Sequence, residues 1–172
     1  MRSLTTTRRV ALLISLVFST AHASSATPGG LELVVTSTRP AYSEGEDLSL
    51  HACLINRGNH AIYIYRELRD GIWLWPYDSD GKALALTFIQ EHRPPPPNSR
   101  QDFVQLGPSA PVCVDITEPL SHLSLKATGS YTIQAEYKNP CSAEWVKKYF
   151  GLTIWEGRIE SADTVRISVR PK

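Results

Sequence analysis

The sequence predicts an all-β domain built as an antiparallel sandwich, and three observations lead to that class. Short apolar runs with a period of two recur along most of the chain. Clusters of Gly, Pro, Asn and Asp separate them at intervals of roughly ten residues. The composition, with 10 Gly, 12 Pro and 42% hydrophobic residues in 172, is that of a globular β protein rather than a disordered chain.

The N-terminus reads as a leader. Met1 to Arg9 is basic and holds no acid, Val10 to Phe18 is apolar, and a small polar stretch ends in Ala21-His22-Ala23. This is the three-part pattern of a secretory signal, with residues 1–23 as the signal peptide. The apolar run is far shorter than the ~20 residues a membrane span needs. The expected product is exported, periplasmic or secreted, with no stable membrane anchor after cleavage. Residues 24–30 (SATPGG after Ser24) read as a flexible leader, and residues 31–172 as one β-sandwich domain. Without the basic leader, acids slightly outnumber bases. No strong field exists for nucleic acid or for an anionic membrane.

The elements follow in order. Leu31 to Thr38 is the first strand, and Pro40 to Gly45 turns the chain. Glu46 to Ile55 is the second strand, with Leu48, Leu50, Ala52 and Leu54 alternating inward. Ala61 to Leu68 follows, then Asp70-Gly71, a two-residue hairpin signal. Ile72 to Tyr77 returns, Asp78-Ser79-Asp80-Gly81 turns again, and Lys82 to Gln90 completes a meander. After a proline-rich loop, Gln101 to Leu106 and Pro111 to Thr117 read as strands around Gly107-Pro108. Ser130 to Asn139 alternates most cleanly, with Tyr131, Ile133, Ala135 and Tyr137 inward. Asp163 to Arg170 is the last strand. The long segment Pro140 to Ser161 precedes it, with a short helix expected over Ala143 to Phe150.

Leu125-Lys-Ala-Thr-Gly-Ser-Tyr131-Thr-Ile133-Gln-Ala135 resembles the tyrosine corner of immunoglobulin-like and fibronectin type III domains. The run from Phe103-Val-Gln-Leu106 through Asp115 to Tyr131 is similar to exported bacterial immunoglobulin-like domains, BsuPI-type proteinase inhibitors among them. The chain departs from antibody domains, because Ile133 stands where they carry a cysteine. The resemblance implies an immunoglobulin-like antiparallel β-sandwich, with the short helix in the loop before the last strand. Export places the three cysteines in an oxidising space, so one disulfide is expected, with one cysteine left over. Cys53 points away from the Leu48–Leu54 face and Cys113 away from the Val112, Val114 and Ile116 face. In such a sandwich these two strands run antiparallel, so Cys53 with Cys113 is the first choice and Cys113 with Cys141 its rival. The chain-entropy value for such a loop is ~4 kcal/mol.

No motif points to catalysis or to a cofactor. Asp78-Ser79-Asp80-Gly81 fails as a calcium loop, since Lys82 occupies the fifth position. His51, His60, His92 and His122 have no metal-ligand spacing with one another or with a cysteine. Ser109 lacks the flanking glycines of a nucleophile elbow. The expectation is therefore no enzyme, no metal and no cofactor. It is instead a binding or assembly module of the cell envelope with an unknown protein partner. Two alternatives are an inhibitor of secreted proteases and a carbohydrate-binding module. For the inhibitor, the Asn-Pro-Thr-Thr-Gly loop of chagasin-type proteins is missing, because Asn139-Pro140 is followed by Cys141 and Ser142. The stiff run Pro94 to Pro97 reads as a spacer or as a presented loop. For carbohydrate, the candidates are Trp73, Trp75 and Tyr77, with the expectation that the core claims one side of that strand. The binding surface expected first is Pro140 to Ser161, through Trp145, Lys148, Tyr149, Phe150 and Trp155. Loops this long are often functional, and such aromatics dominate hot spots. The competing expectation is that they fold back and plug the core.

Overall fold

The computed structural model describes residues 30–87, 96–125 and 128–172. Its strands are mostly antiparallel and form an immunoglobulin-like sandwich with one helix. A three-stranded sheet holds β1 (Leu31–Ser37), β3 (Asp47–Asn56) and β7 (Pro111–Pro119), in the order β1-β3-β7. The facing sheet runs β2 (Ala41–Ser43), β10 (Val165–Arg170), β8 (Gly129–Lys138), β5 (Ile72–Tyr77), with β9 (Arg158–Glu160) also paired to β8. A two-stranded ribbon, β4 (Ile62–Tyr65) with β6 (Phe103–Leu106), stands beside them.

The inward faces are those the alternation demands. Leu48, Leu50, Ala52 and Leu54 of β3 are fully buried. They meet Tyr131, Ile133, Ala135 and Tyr137 of β8 and Val165, Ile167 and Val169 of β10 in one core. Each buried leucine contributes about 1.5–3 kcal/mol. Leu125 and Tyr131 of the tyrosine-corner run both enter this core, while residues 126–127 lie outside the described ones.

Four expectations change. The turn at 40–45 contains a short strand, β2, which pairs in parallel with β10, so the chain crosses from one sheet to the other after β1. Asp70-Gly71 makes no hairpin: β4 pairs with β6 and β5 with β8, and a 3-10 turn over Leu68–Gly71 carries the chain between them. Gly71 is needed for another reason. A Cβ there would come within 2.5 Å of the Tyr137 ring and 2.8 Å of the Lys138 carbonyl. Lys82 to Gln90 is not a strand across residues 82–87, where a single bridge joins Ala83 to Tyr77. Residues 88–95, which include His92 and the first two of the four prolines, lie outside the described residues. Finally, Trp155 is buried in the main core.

β5 forms an edge of its sheet and contains Pro76. The Pro76 carbonyl accepts from the Leu84 amide on the side away from β8. The missing Pro76 N–H therefore falls on that same free edge, where it costs the sheet no rung. At Asp78-Ser79-Asp80-Gly81, Asp78 Oδ1 accepts from the Asp80 and Lys82 amides, and Gly81 takes φ +77°. That is the geometry of a plain turn.

A second, smaller core lies on the other side of the β4–β6 ribbon. Tyr65 and Phe103 pack there with Val146, Leu152 and Ile154, while Ile64 and Leu106 face the main core. The ribbon is thus buried on both faces, which explains why Ala61 to Leu68 is apolar without clean alternation. The helix α1 (Ala143–Phe150) seats Val146 in this second core. The Ser142 hydroxyl accepts from the Trp145 amide at its N-terminus, and Gly151 closes it in the left-handed region at φ 65°. Glu144 in the first turn and Lys147 and Lys148 in the last suit the helix dipole. Among the described residues no helix is long and apolar enough to cross a membrane.

Candidate binding face and groove

β5 decides the character of the site. Its inward positions are Ile72, Leu74 and Pro76, all buried. Because the side-chain period is two, every odd position then faces outward. Trp73 and Tyr77 are half-buried and Trp75 is 38% exposed. The expectation that the core would claim one side of the strand is met by the small side, and all three aromatics stand on the other. Neighbouring rings of the row are set about 7 Å apart along the strand.

The row beside them is polar. Trp73, Trp75 and Tyr77 lie opposite Glu136, Gln134 and Thr132 of β8. The Trp75 indole donates to Glu136 Oε2 at 3.0 Å, and Arg158 reaches the same oxygen at 2.7 Å. Glu136 is buried, at 5% exposure, and these two partners fix its carboxylate. Gln134 Nε2 donates to the Ser161 carbonyl and hydroxyl, both at 2.9 Å. The face therefore combines aromatic rings with an ordered strip of acceptors and donors.

At the Trp73 end this face runs into an open groove of about 470 Å³. Trp73, Pro96, Pro97 and Trp145 supply apolar walls, and Asp70, Lys138, Asn139 and Ser142 supply polar groups. Buried Asn139 holds the groove's floor in shape. Its amide donates to the Trp155 carbonyl at 2.9 Å, and its side-chain oxygen accepts from the Cys141 amide at 3.2 Å. Cys141, also in the groove, is a free thiol. Burial first, and Asp102 second, push it up to about 11. It is neutral near pH 7 and makes a poor nucleophile.

The five residues expected to bind in the C-terminal segment do not form one surface. Trp155 is buried at 7% exposure and packs against Tyr137, with ring centroids 5.8 Å apart. Asn139 ties down its carbonyl and its amide donates to the Tyr63 carbonyl, so its ring serves the core and not a binding surface. Phe150 is half-buried and leans on Phe103 at 5.7 Å. Trp145 is half-buried between Tyr149 at 5.1 Å and Phe150 at 5.3 Å, with one side in the groove. Tyr149, 59% exposed, and Lys148, whose ammonium lies 5.3 Å from the Tyr149 ring, face outward. Cys53 and Cys113 are direct cross-strand partners on β3 and β7 and are joined by a disulfide. Cys141 is not part of it. His51 lies beside the pair, with Nε2 3.3 Å from Cys53 Sγ, but the two sulfurs are bonded to each other and offer no thiolate to an ion.

No family model matches the sequence, and no curated protein matches it. Solved structures with some likeness include the sporulation control protein Spo0M from Bacillus subtilis, at 16% identity and a TM-score of 0.47. That match covers 83% of this chain and 50% of the other, so the chain spans about half its length. A CARDB domain from Pyrococcus furiosus matches at 14% identity and a TM-score of 0.38, covering 85% of this chain and 99% of that one. A β-glucosidase from Listeria innocua matches at 12% identity and a TM-score of 0.43, covering 83% and 16%.

Proposed function

We propose that the chain is an exported, non-catalytic carbohydrate-binding domain whose ligand lies along β5 and ends in the groove beside α1. One observation carries this reading: Trp73, Trp75 and Tyr77 share one outward face. A pyranose ring has C–H groups on its faces and hydroxyls at its rim. It can stack on an aromatic side chain while a neighbouring polar strip takes the hydroxyls. Rings about 7 Å apart suit an extended polysaccharide better than a single sugar. The polar strip is acidic and basic in balance, through Glu136 and Arg158, which favours a neutral glycan. The secretory-signal pattern read in residues 1–23 supports a ligand outside the cytoplasm.

The test is affinity electrophoresis and calorimetry of the protein against soluble β-glucan, xylan, mannan, chitin oligosaccharides and peptidoglycan fragments. Retention on at least one neutral glycan, lost when Trp73 and Trp75 are both replaced by alanine, supports the reading. No retention on any member, or undiminished retention by the double variant, overturns it. A second reading keeps a protein partner on α1, supported by exposed Tyr149 beside Lys148 and Trp145. In that case Tyr149→Ala, and not Trp75→Ala, abolishes partner binding.

A further inference from the structure

The outward face of the three-stranded sheet carries four chemistry-bearing side chains in a square, independent of the carbohydrate face. His51 and Cys53 stand two apart on β3, and Asp115 and Cys113 stand opposite them on β7. The two cysteines are disulfide-bonded. His51 Nδ1 lies 2.7 Å from Asp115 Oδ1. Its other nitrogen, Nε2, lies 3.3 Å from Cys53 Sγ. The carboxylate therefore fixes which way the imidazole points, and the free nitrogen points at one sulfur of the pair.

The two sulfurs are not equivalent. Cys113 is exposed and Cys53 half-buried. Displacement at sulfur needs the attacking thiolate in line with the bond that breaks, behind the sulfur attacked. β7 is an edge strand, so the line behind Cys113 opens to solvent. β3 is central, and Val34 of β1 is the cross-strand partner of Cys53. The half-buried Val34 side chain, on the same face, therefore stands on the side from which Cys53 would be attacked.

We propose that Cys53–Cys113 is a thiol–disulfide exchange site, attacked at Cys113 by an external thiolate, with His51 as the acid that protonates the departing Cys53 sulfur. The substrate class is a small thiol or an exposed cysteine of another protein. The thiolate's electron pair forms a new S–S bond to Cys113 Sγ. The Cys53–Cys113 bond breaks, its electron pair leaves on Cys53 Sγ, and the proton on His51 Nε2 moves to that sulfur. The products are a mixed disulfide on Cys113 and a thiol on Cys53. In the reverse step neutral His51 takes the proton back, the Cys53 thiolate attacks Cys113, and the external group leaves as its thiolate. Asp115 acts by holding the ring and stabilising the imidazolium before transfer. The outward positions around His51 are Thr36 on β1, Ser49 and Cys53 on β3, and Cys113 and Asp115 on β7. Asp115 is the charged group among them.

The experiment uses the oxidised full-length chain with reduced glutathione as the thiol. Samples are quenched with acid and N-ethylmaleimide and mapped by peptide mass. Glutathione is expected on Cys113 and the alkyl group on Cys53. The rate, divided by the glutathione thiolate concentration, is expected to fall as pH rises. His51→Ala is expected to slow that normalised rate at least about tenfold at low pH and to flatten its pH profile. Asp115→Asn is expected to lower the rate while keeping the adduct on Cys113. Melting of the oxidised variants reports whether the sheet is intact. Glutathione on Cys53, an unchanged rate and profile in His51→Ala with intact melting, or reduction only as fast as global unfolding each overturns the proposal.

Discussion

Trp73, Trp75 and Tyr77 on β5 and Trp145, Tyr149, Phe150 and Trp155 around α1 are alike in composition, and the fold treats them in opposite ways. On β5 the whole row is committed at once. Ile72, Leu74 and Pro76 take the core, and the strand's period leaves the aromatics no route inward. Around α1 each ring finds its own place. Trp155 enters the main core, Phe150 lies against the smaller one, Trp145 lines a groove and Tyr149 faces solvent. A regular element makes exposure collective, whereas a loop and a two-turn helix let each side chain settle separately.

Substitutions can measure that contrast. Trp155→Ala is expected to be the most damaging, at about 3–5 kcal/mol of stability, read by urea unfolding. A loss below 1 kcal/mol would mean that Trp155 is not the core residue its Tyr137 stacking implies. Trp73→Ala with Trp75→Ala is expected to weaken glycan binding at least about tenfold, at a stability cost of about 1.5–3 kcal/mol from the lost Trp75 hydrogen bond to buried Glu136. Calorimetry and melting on the same samples separate the two effects. Trp145→Ala removes two ring contacts and one wall of the groove, for an expected cost of ~1 kcal/mol with binding weakened several-fold. If binding is unchanged, the ligand stops at β5 and does not enter the groove. Tyr149→Ala is expected to change stability by no more than ~0.5 kcal/mol and glycan affinity not at all. A large loss of glycan binding there would move the site onto α1.

Most of the sandwich was legible because its strands obey a period of two. β3, β8 and β10 announce their inward residues outright, and Ser142 and Gly151 bracket α1 with ordinary helix ends. The Asp70-Gly71 signal misled because the glycine serves a close approach to Tyr137 rather than a turn. β2 was hidden because three residues pairing with a strand some 125 positions away carry no local pattern. The site was half legible. Trp73, Trp75 and Tyr77 could be named from the sequence, but which side of β5 faces the core depends on β8 and the opposite sheet. The groove joins residues from the 70s, 90s and 140s, and no spacing rule brings those together. The pairing of His51 with Asp115 depends on a strand register that sequence alone does not set.

The free edge of β5 has one more consequence. A strand that shows three large aromatics at the border of a sheet is a ready template for a second copy, and runs of this kind seed aggregation. Here the edge is blunted twice. Pro76 offers no amide to an incoming strand, and its carbonyl is already taken by Leu84, next to the Ala83 bridge. The protein holds a sticky row of rings open to solvent over a backbone edge that Pro76 and Leu84 close at its C-terminal end. Replacing Pro76 by a residue with a free amide is therefore expected to raise self-association at high concentration, read by light scattering.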